Sequence, residues 1–127
     1  MRNRLGAIIF SFLLLALTLA GCGGGGSTGG ASNELDMGAA SFTQSSITLS
    51  AGQALHMVDS QDSGGTHMIC IGQNGACDSN PSGPSELHGP GLTFTPGTTK
   101  DITFSTAGTY HITCTIHPSM NVTVTVQ

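Results

Sequence analysis

The most regular pattern in the chain lies near its end, where Val122, Val124 and Val126 alternate with Thr123 and Thr125. Side chains of a β-strand point alternately to its two faces, so this pattern predicts a strand with one buried face. Short apolar stretches recur upstream between clusters of Gly, Ser and Thr, and helix signals are almost absent. Six to eight such strands in about 95 residues predict an all-β antiparallel sandwich.

The remaining predicted strands are short apolar runs bounded by turn residues. They lie at residues 47–49, 54–60, 66–71, 92–94, 100–104 and 109–114. Residues 72–91 are rich in Gly, Pro, Asn and Ser, with too few apolar residues for a core element, so we predict a long loop there. A chain of 127 residues has room for one small domain, which we place at residues 35–127.

Residues 1–21 have the layout of a secretory signal peptide, with two arginines before an apolar run of sixteen residues. A membrane-spanning helix needs roughly 20 residues, so this run favours a signal. Residues 19–22, Leu-Ala-Gly-Cys, resemble a bacterial lipobox, in which Cys22 becomes the lipidated first residue. Residues 22–34 are mostly Gly, Ser and Thr and should form a flexible tether. We therefore expect an exported protein, lipid-anchored to a membrane and facing the periplasm or cell exterior.

Removal of the first 21 residues leaves Lys100 as the only Lys or Arg in the chain. Binding to nucleic acid relies on Lys and Arg side chains that neutralise phosphates. The sequence therefore excludes a nucleic-acid partner.

Soft metal ligands are concentrated in the stretch Cys114-Thr-Ile-His117-Pro-Ser-Met120. Thiolate, imidazole and weakly bound thioether donors form the trigonal His₂Cys site, with an axial Met, of blue-copper centres. On its predicted strand Cys114 shares one face with Tyr110 and Ile112, so the thiol should point towards the core. The stretch predicts a copper site that needs one more imidazole.

His67 is the candidate for the missing imidazole, because it follows a Gly-Gly turn at the start of a predicted strand. His56 lies in mid-strand and His111 faces away from Cys114, so both are interpreted as structural. His88, in the long loop, is the remaining alternative.

Residues 108–120, Gly-Thr-Tyr-His-Ile-Thr-Cys-Thr-Ile-His-Pro-Ser-Met, resemble the copper-loop signature of the cupredoxins, the family of plastocyanin, pseudoazurin and amicyanin. The short loop, with two residues between each pair of ligands, is most similar to that of amicyanin. The resemblance implies an eight-stranded Greek-key β-sandwich with one type 1 copper ion at one end. It also implies His67, Cys114, His117 and Met120 as the ligands, and one-electron transfer as the function.

Three positions depart from the family pattern. Thr66 stands where the family usually has Pro, Met68 where it often has an Asn that ties the two copper loops together, and Asn121 where a Gly often follows the axial Met. Hydrogen bonds around the ligands tune a metal site, so these departures bear on its rigidity and potential.

In this family the edge of the second histidine is usually the electron's exit. The resemblance therefore implies an electron-transfer port at His117 and Pro118, with Met68, Pro90 and Leu92 as candidate apolar neighbours. We expect a monomer that exchanges electrons with a redox protein donor and acceptor.

Cys70 and Cys77 remain once Cys22 is assigned to lipid and Cys114 to metal. In an exported protein two such cysteines predict a disulfide, which would stabilise the fold by roughly 2 to 3 kcal/mol.

Multicopper oxidases carry histidines beside the copper cysteine, whereas Thr113 and Thr115 flank Cys114 here, so we predict that the protein is not an enzyme.

Two alternatives to an electron carrier remain open. A copper-holding or chaperone module without electron transfer is an alternative. A structural zinc site formed by Cys70, Cys77, Cys114 and His117 is the other.

Overall fold

The computed structural model describes residues 33–127, which form nine β-strands and one short 3-10 helix. In chain order these are β1 (Glu34–Met37), β2 (Ser46–Leu49), β3 (Gln53–Asp59), β4 (His67–Gln73), β5 (Ala76–Cys77), the 3-10 helix (Ser85–Leu87), β6 (Leu92–Phe94), β7 (Thr98–Phe104), β8 (Gly108–Cys114) and β9 (Asn121–Val126). The predicted signal peptide, Cys22 and nearly all of the predicted tether lie outside the described residues. Within residues 33–127, no helix has the length and hydrophobicity needed to cross a bilayer.

The strands form two sheets, which confirms the predicted all-β sandwich. One sheet has the order β1-β3-β7; in the other, β2-β9-β8-β4, strand β4 also pairs with β5 and β6. Two pairings, β1 with β3 and β2 with β9, are parallel, so the sheets are mixed rather than wholly antiparallel. Strands β1 and β3 lie in one sheet, and β2, which comes between them in the chain, lies in the other. No tight hairpin therefore joins β1 to β3 and imposes antiparallel pairing on them.

The core lies between the two sheets and follows the predicted alternation. Val122, Val124 and Val126 of β9 are buried, and the threonines between them are half-buried. Phe94 and Phe104 are the largest side chains with no exposed surface.

The prediction of a structureless loop at residues 72–91 was wrong in part. The loop contains the end of β4, strand β5 and the 3-10 helix, whose Leu87 is fully buried in the core. An isolated leucine among Gly, Pro and Ser has no periodicity, so the pattern could not show that it is a core residue.

Three strand ends meet at one end of the sandwich. Strand β4 begins there, β8 ends there and β9 begins there, because β8 is antiparallel to both neighbours. Ile69 lies opposite Cys114 in the first pairing, and Thr113 lies opposite Asn121 in the second. This end, called the metal end below, carries all four predicted copper ligands.

Candidate metal centre

The Cys114 thiol is fixed by the end of β8. Tyr110, Ile112 and Cys114 are all buried on one face of the strand, as its alternation predicts. The Cys114 backbone N–H donates to the carbonyl of Met120 at 3.0 Å, which closes the intervening loop. Within residues 33–127, Cys114 is the only cysteine with a free thiol, and it has no exposed surface.

Residues 115–120, called the ligand loop below, return the chain from β8 to β9. The Met120 N–H donates to the His117 carbonyl at 2.9 Å, and the Thr115 N–H donates to the Met68 carbonyl at 2.9 Å. The first bond makes the tight turn that brings Nδ1 of His117 to 3.8 Å from Sγ of Cys114. Met120 itself is fully buried.

His67 approaches the thiol from the start of β4. Its Nδ1 lies 3.9 Å from Sγ of Cys114, and its ring centroid lies 5.1 Å from that of His117. The donor atoms of His67, Cys114 and His117 all lie within 4.8 Å of one another. The structure thus brings together the two imidazoles and the thiol that the sequence predicts as ligands.

The spacing of these donors fits a first-row metal. Bonds of about 2.1 Å to nitrogen and 2.3 Å to sulfur, at 120° to one another, separate the two donors by about 3.8 Å. The observed separations between sulfur and nitrogen are 3.8 and 3.9 Å. These three donors fit a type 1 copper site, and Met120, which is fully buried and bonded through its backbone to Cys114 and His117, offers the thioether for the axial position.

A polar group that sequence reasoning missed lies behind His67. The Asp59 carboxylate is fully buried, and its Oδ1 lies 3.9 Å from Nε2 of His67. Within residues 33–127, no hydrogen-bond partner is found for the Asp59 oxygens, for Nε2 of His67 or for the buried Ser63 hydroxyl. A ligand histidine commonly turns its second nitrogen towards a carboxylate, which orients the ring. The alternation Leu55, Met57, Asp59 was the signal that placed this carboxylate inside the sandwich.

Burial lowers the pKa of His67, because an imidazolium loses hydration there. The nearby Asp59 acts in the opposite direction, and His117 adds to the lowering. The net effect keeps the imidazole neutral, which is the form that binds a metal.

The predicted disulfide between Cys70 and Cys77 is present, with an S–S distance of 2.06 Å. The zinc alternative is therefore wrong, because two of its four proposed ligands are consumed in this bond.

The other histidines lie apart from the donor cluster. His88, the alternative to His67, places Nε2 3.3 Å from the Gly83 carbonyl. His56 pairs with Asp101 on the outer surface of the smaller sheet, and His111 contacts Thr123.

The family profile described as copper binding proteins, plastocyanin/azurin family, matches residues 30–127. The chain belongs to this family. The family match and the spacing of the donor atoms therefore both support the resemblance to the cupredoxins. A search of curated proteins found no match.

Solved structures of amicyanin are similar in fold. Amicyanin from Paracoccus versutus is 21% identical, with a TM-score of 0.55, over 74% of this chain and 79% of that protein. The reduced state of an amicyanin mutant is 18% identical, with a TM-score of 0.55, over 74% of this chain and 80% of that one. A further amicyanin mutant in its Cu(I) form is 17% identical, with a TM-score of 0.54 and the same coverage.

Proposed function

We propose that this cupredoxin is a mobile one-electron carrier, with His67, Cys114, His117 and Met120 as the ligands of one copper ion. The observation that carries the proposal is the approach of two Nδ1 atoms to one buried, unpaired thiol, at 3.8 and 3.9 Å. Copper bound by such donors supplies one-electron exchange between Cu(I) and Cu(II).

The contribution of the chain is a donor set held by packed strands. Pairing of Ile69 with Cys114 fixes the start of β4 against the end of β8, and the bond between Cys114 and Met120 fixes the ligand loop. Packed interiors resist rearrangement, so the same donor positions serve both oxidation states. A small structural change on each transfer is what a carrier needs.

The route for electrons is the His117 ring. Cys114 and His67 are fully buried, whereas His117 is half-buried and its neighbour Pro118 is exposed. Ile116, at 48% exposure, is the one large apolar side chain that residues 33–127 expose. With the half-buried Met68 it supports an apolar docking surface around His117 for redox proteins.

Of the other two predicted neighbours, Pro90 is exposed and Leu92 is half-buried. Ile116 was not identified from the sequence, because one apolar residue between Thr115 and His117 carries no pattern.

The carrier is proposed to work outside the cytoplasm as a monomer on a lipid anchor. The signal-like residues 1–21 and the lipobox at Cys22 support this location. The disulfide between Cys70 and Cys77 fits an oxidising compartment. Incorporation of labelled fatty acid into the wild-type protein but not into Cys22→Ser would support the anchor, and equal labelling would contradict it.

Electron transfer without catalysis is supported by the residues beside the thiol. Thr113 and Thr115 flank Cys114, and neither side chain can ligate a second copper cluster as histidines do.

Copper loading tests the proposed function. We expect the protein with one equivalent of Cu(II) to show an intense visible absorption band that bleaches with ascorbate and returns with a mild oxidant. Cys114→Ser, which replaces the thiol with a hydroxyl of similar size, should lack the band. A colourless wild-type protein would overturn the proposal. Rapid loss of copper to a chelator would instead indicate a copper chaperone.

A further inference from the structure

The hairpin of β4 and β5 lies against the ligand loop. Its strands pair Gly72 with Cys77 and Gln73 with Ala76, and the Cys70–Cys77 disulfide closes its base. We propose that this hairpin positions the copper ligands, and that Asn121 and Thr113 are the positioning residues through which it acts. The inference rests on the proposed copper site and adds what sets the properties of that site.

Asn121 joins the hairpin to the ligand loop with both ends of its amide. The Asn74 backbone N–H donates to Oδ1 of Asn121 at 2.8 Å, and Nδ2 of Asn121 donates to the Pro118 carbonyl at 2.9 Å. A backbone N–H needs an acceptor and a carbonyl needs a donor, so these two partners fix the orientation of the amide. The Asn that replaces the family's Gly therefore forms a bridge between the two segments.

Thr113 forms a second bridge from the neighbouring strand. Its hydroxyl accepts a hydrogen bond from the Gly75 N–H at 2.9 Å and donates to the Met120 carbonyl at 3.3 Å. Thr113 has no exposed surface, so water cannot replace a lost partner without rearrangement. Since Thr113 and Asn121 lie opposite each other in the β8–β9 pairing, the two bridges are adjacent.

Direct packing reinforces the bridges. Gly75 has a φ of +82°, and a Cβ at this position would lie 2.9 Å from side-chain atoms of Pro118. The hairpin tip therefore presses against the residue that follows His117, and only glycine allows this approach.

The hairpin is a firm base for these contacts. Cys70 of β4 is fully buried and lies opposite Thr113 of β8, and the disulfide joins Cys77 to Cys70. The Asp78 N–H donates to the Ile71 carbonyl at 2.9 Å, which extends the pairing beyond the bridge. On its other side the ligand loop is tied to Met68 through backbone only, by the Thr115 N–H. The hairpin thus supplies side-chain support that Met68 does not.

Substitutions of Thr113, Asn121 and the disulfide cysteines test the proposal, each in the full chain loaded with copper. Thr113→Val removes the bridging hydroxyl and should weaken copper binding by about 10- to 100-fold, with a changed visible spectrum and reduction potential, as loss of supporting hydrogen bonds does in metal sites. Thr113→Ser, which keeps the hydroxyl, should restore all three. Thr109→Val is the matched control at the opposite end of β8, because the Thr109 side chain is exposed and makes no hydrogen bond to the described hairpin.

Asn121→Leu should reproduce the changes seen in Thr113→Val. Asn121→Asp keeps the acceptor for Asn74 but cannot donate to Pro118, so its loss of copper affinity should be intermediate.

Removal of the disulfide by Cys70→Ser with Cys77→Ser should change the spectrum in the same direction. When Thr113→Val is added to that variant, the total fold-loss of copper affinity should be much smaller than the product of the two separate fold-losses, because both changes act through one hairpin. Spectra and affinities of Thr113→Val and Asn121→Leu equal to those of Thr109→Val would overturn the inference. These comparisons decide it even where the variant without the disulfide does not fold. A colourless wild-type protein would instead overturn the proposed copper site.

Discussion

Oδ1 of Asp59 lies 3.9 Å from Nε2 of His67, and both groups are completely enclosed by the sandwich. This carboxylate is the polar group that the structure places behind the first imidazole. Asp59→Asn should weaken copper binding by about 10- to 100-fold, because the orientation of a ligand histidine depends on its outer partner. Competition with a chelator measures the affinity.

The control for this change is Asp101→Asn, which removes an exposed carboxylate from β7 of the same sheet. Equal copper affinities in the two variants would show that Asp59 does not orient His67.

Met120→Leu should keep the copper and raise its reduction potential. The substitution preserves apolar volume at a fully buried position, so stability should fall by less than about 1.5 kcal/mol. Loss of the thioether removes an axial donor that favours Cu(II), and the axial ligand tunes the potential of such sites. Voltammetry measures the shift, and an unchanged potential would remove Met120 from the ligand set.

Pro118→Glu should slow electron exchange while the protein still binds copper. The exposed Pro118 follows His117, so a carboxylate there would place charge on the proposed apolar port. Thr109→Glu adds the same charge at the opposite end of β8 and should leave the rate unchanged. The rate of electron self-exchange, measured by NMR line broadening, distinguishes the two; equal rates would place the port elsewhere.

Leu87→Ala should destabilise the protein by about 2 to 5 kcal/mol, as expected for a fully buried leucine. Urea unfolding measures the loss. The exposed neighbour Glu86 gives the control Glu86→Ala, for which we expect a change within about 0.5 kcal/mol. A similar small effect for Leu87 would show that this segment does not support the core.

The pair of His56 and Asp101 should make stability depend on pH. The hydrogen bond that His56 donates to the Asp101 carboxylate raises the pKa of His56 above its ordinary 6.5, with further support from the charges of Glu34 and Asp36. The folded protein therefore holds this proton more tightly than the unfolded chain does. The stabilisation is complete below pH 6.5 and is lost as pH rises through the raised pKa.

Asp101→Asn measures this contribution by urea unfolding at pH 5.5 and pH 8.5. Because the two side chains are 37% and 68% exposed, solvent screening should limit the loss at the lower pH to less than about 1 kcal/mol. We expect no loss at the higher pH, and a loss that does not change with pH would contradict the assignment.

Local patterns were sufficient to predict the donors and much of the fold. Alternation placed Cys114 on the buried face of β8 and the valines of β9 in the core, and both placements agree with the structure. The spacing of Cys114, His117 and Met120 indicated copper because those donors are close in the chain. His67 needed the family resemblance as well, since it lies 47 positions from Cys114.

Contacts between distant segments could not be predicted. The parallel pairing of β1 with β3 depends on how the chain crosses between sheets, which no local pattern encodes. The hydrogen bond between Asn74 and Asn121 joins residues 47 positions apart. The local sequence around each of them is that of an ordinary turn or strand end. Asp59 could be assigned to the inner face of β3, but its approach to His67 depends on the packing of the two sheets.

The parallel direction of β1 also gives the domain a polarity. Asn33, where the described chain begins, bonds to Ala54 and His56 in the half of β3 away from Asp59, and Gln127 bonds to Ala51 beyond that same half. Both ends of the domain therefore emerge opposite the copper ligands. A support attached before residue 33 or after residue 127 would leave the His117 face directed outwards, so a surface-immobilised form should still meet soluble redox partners.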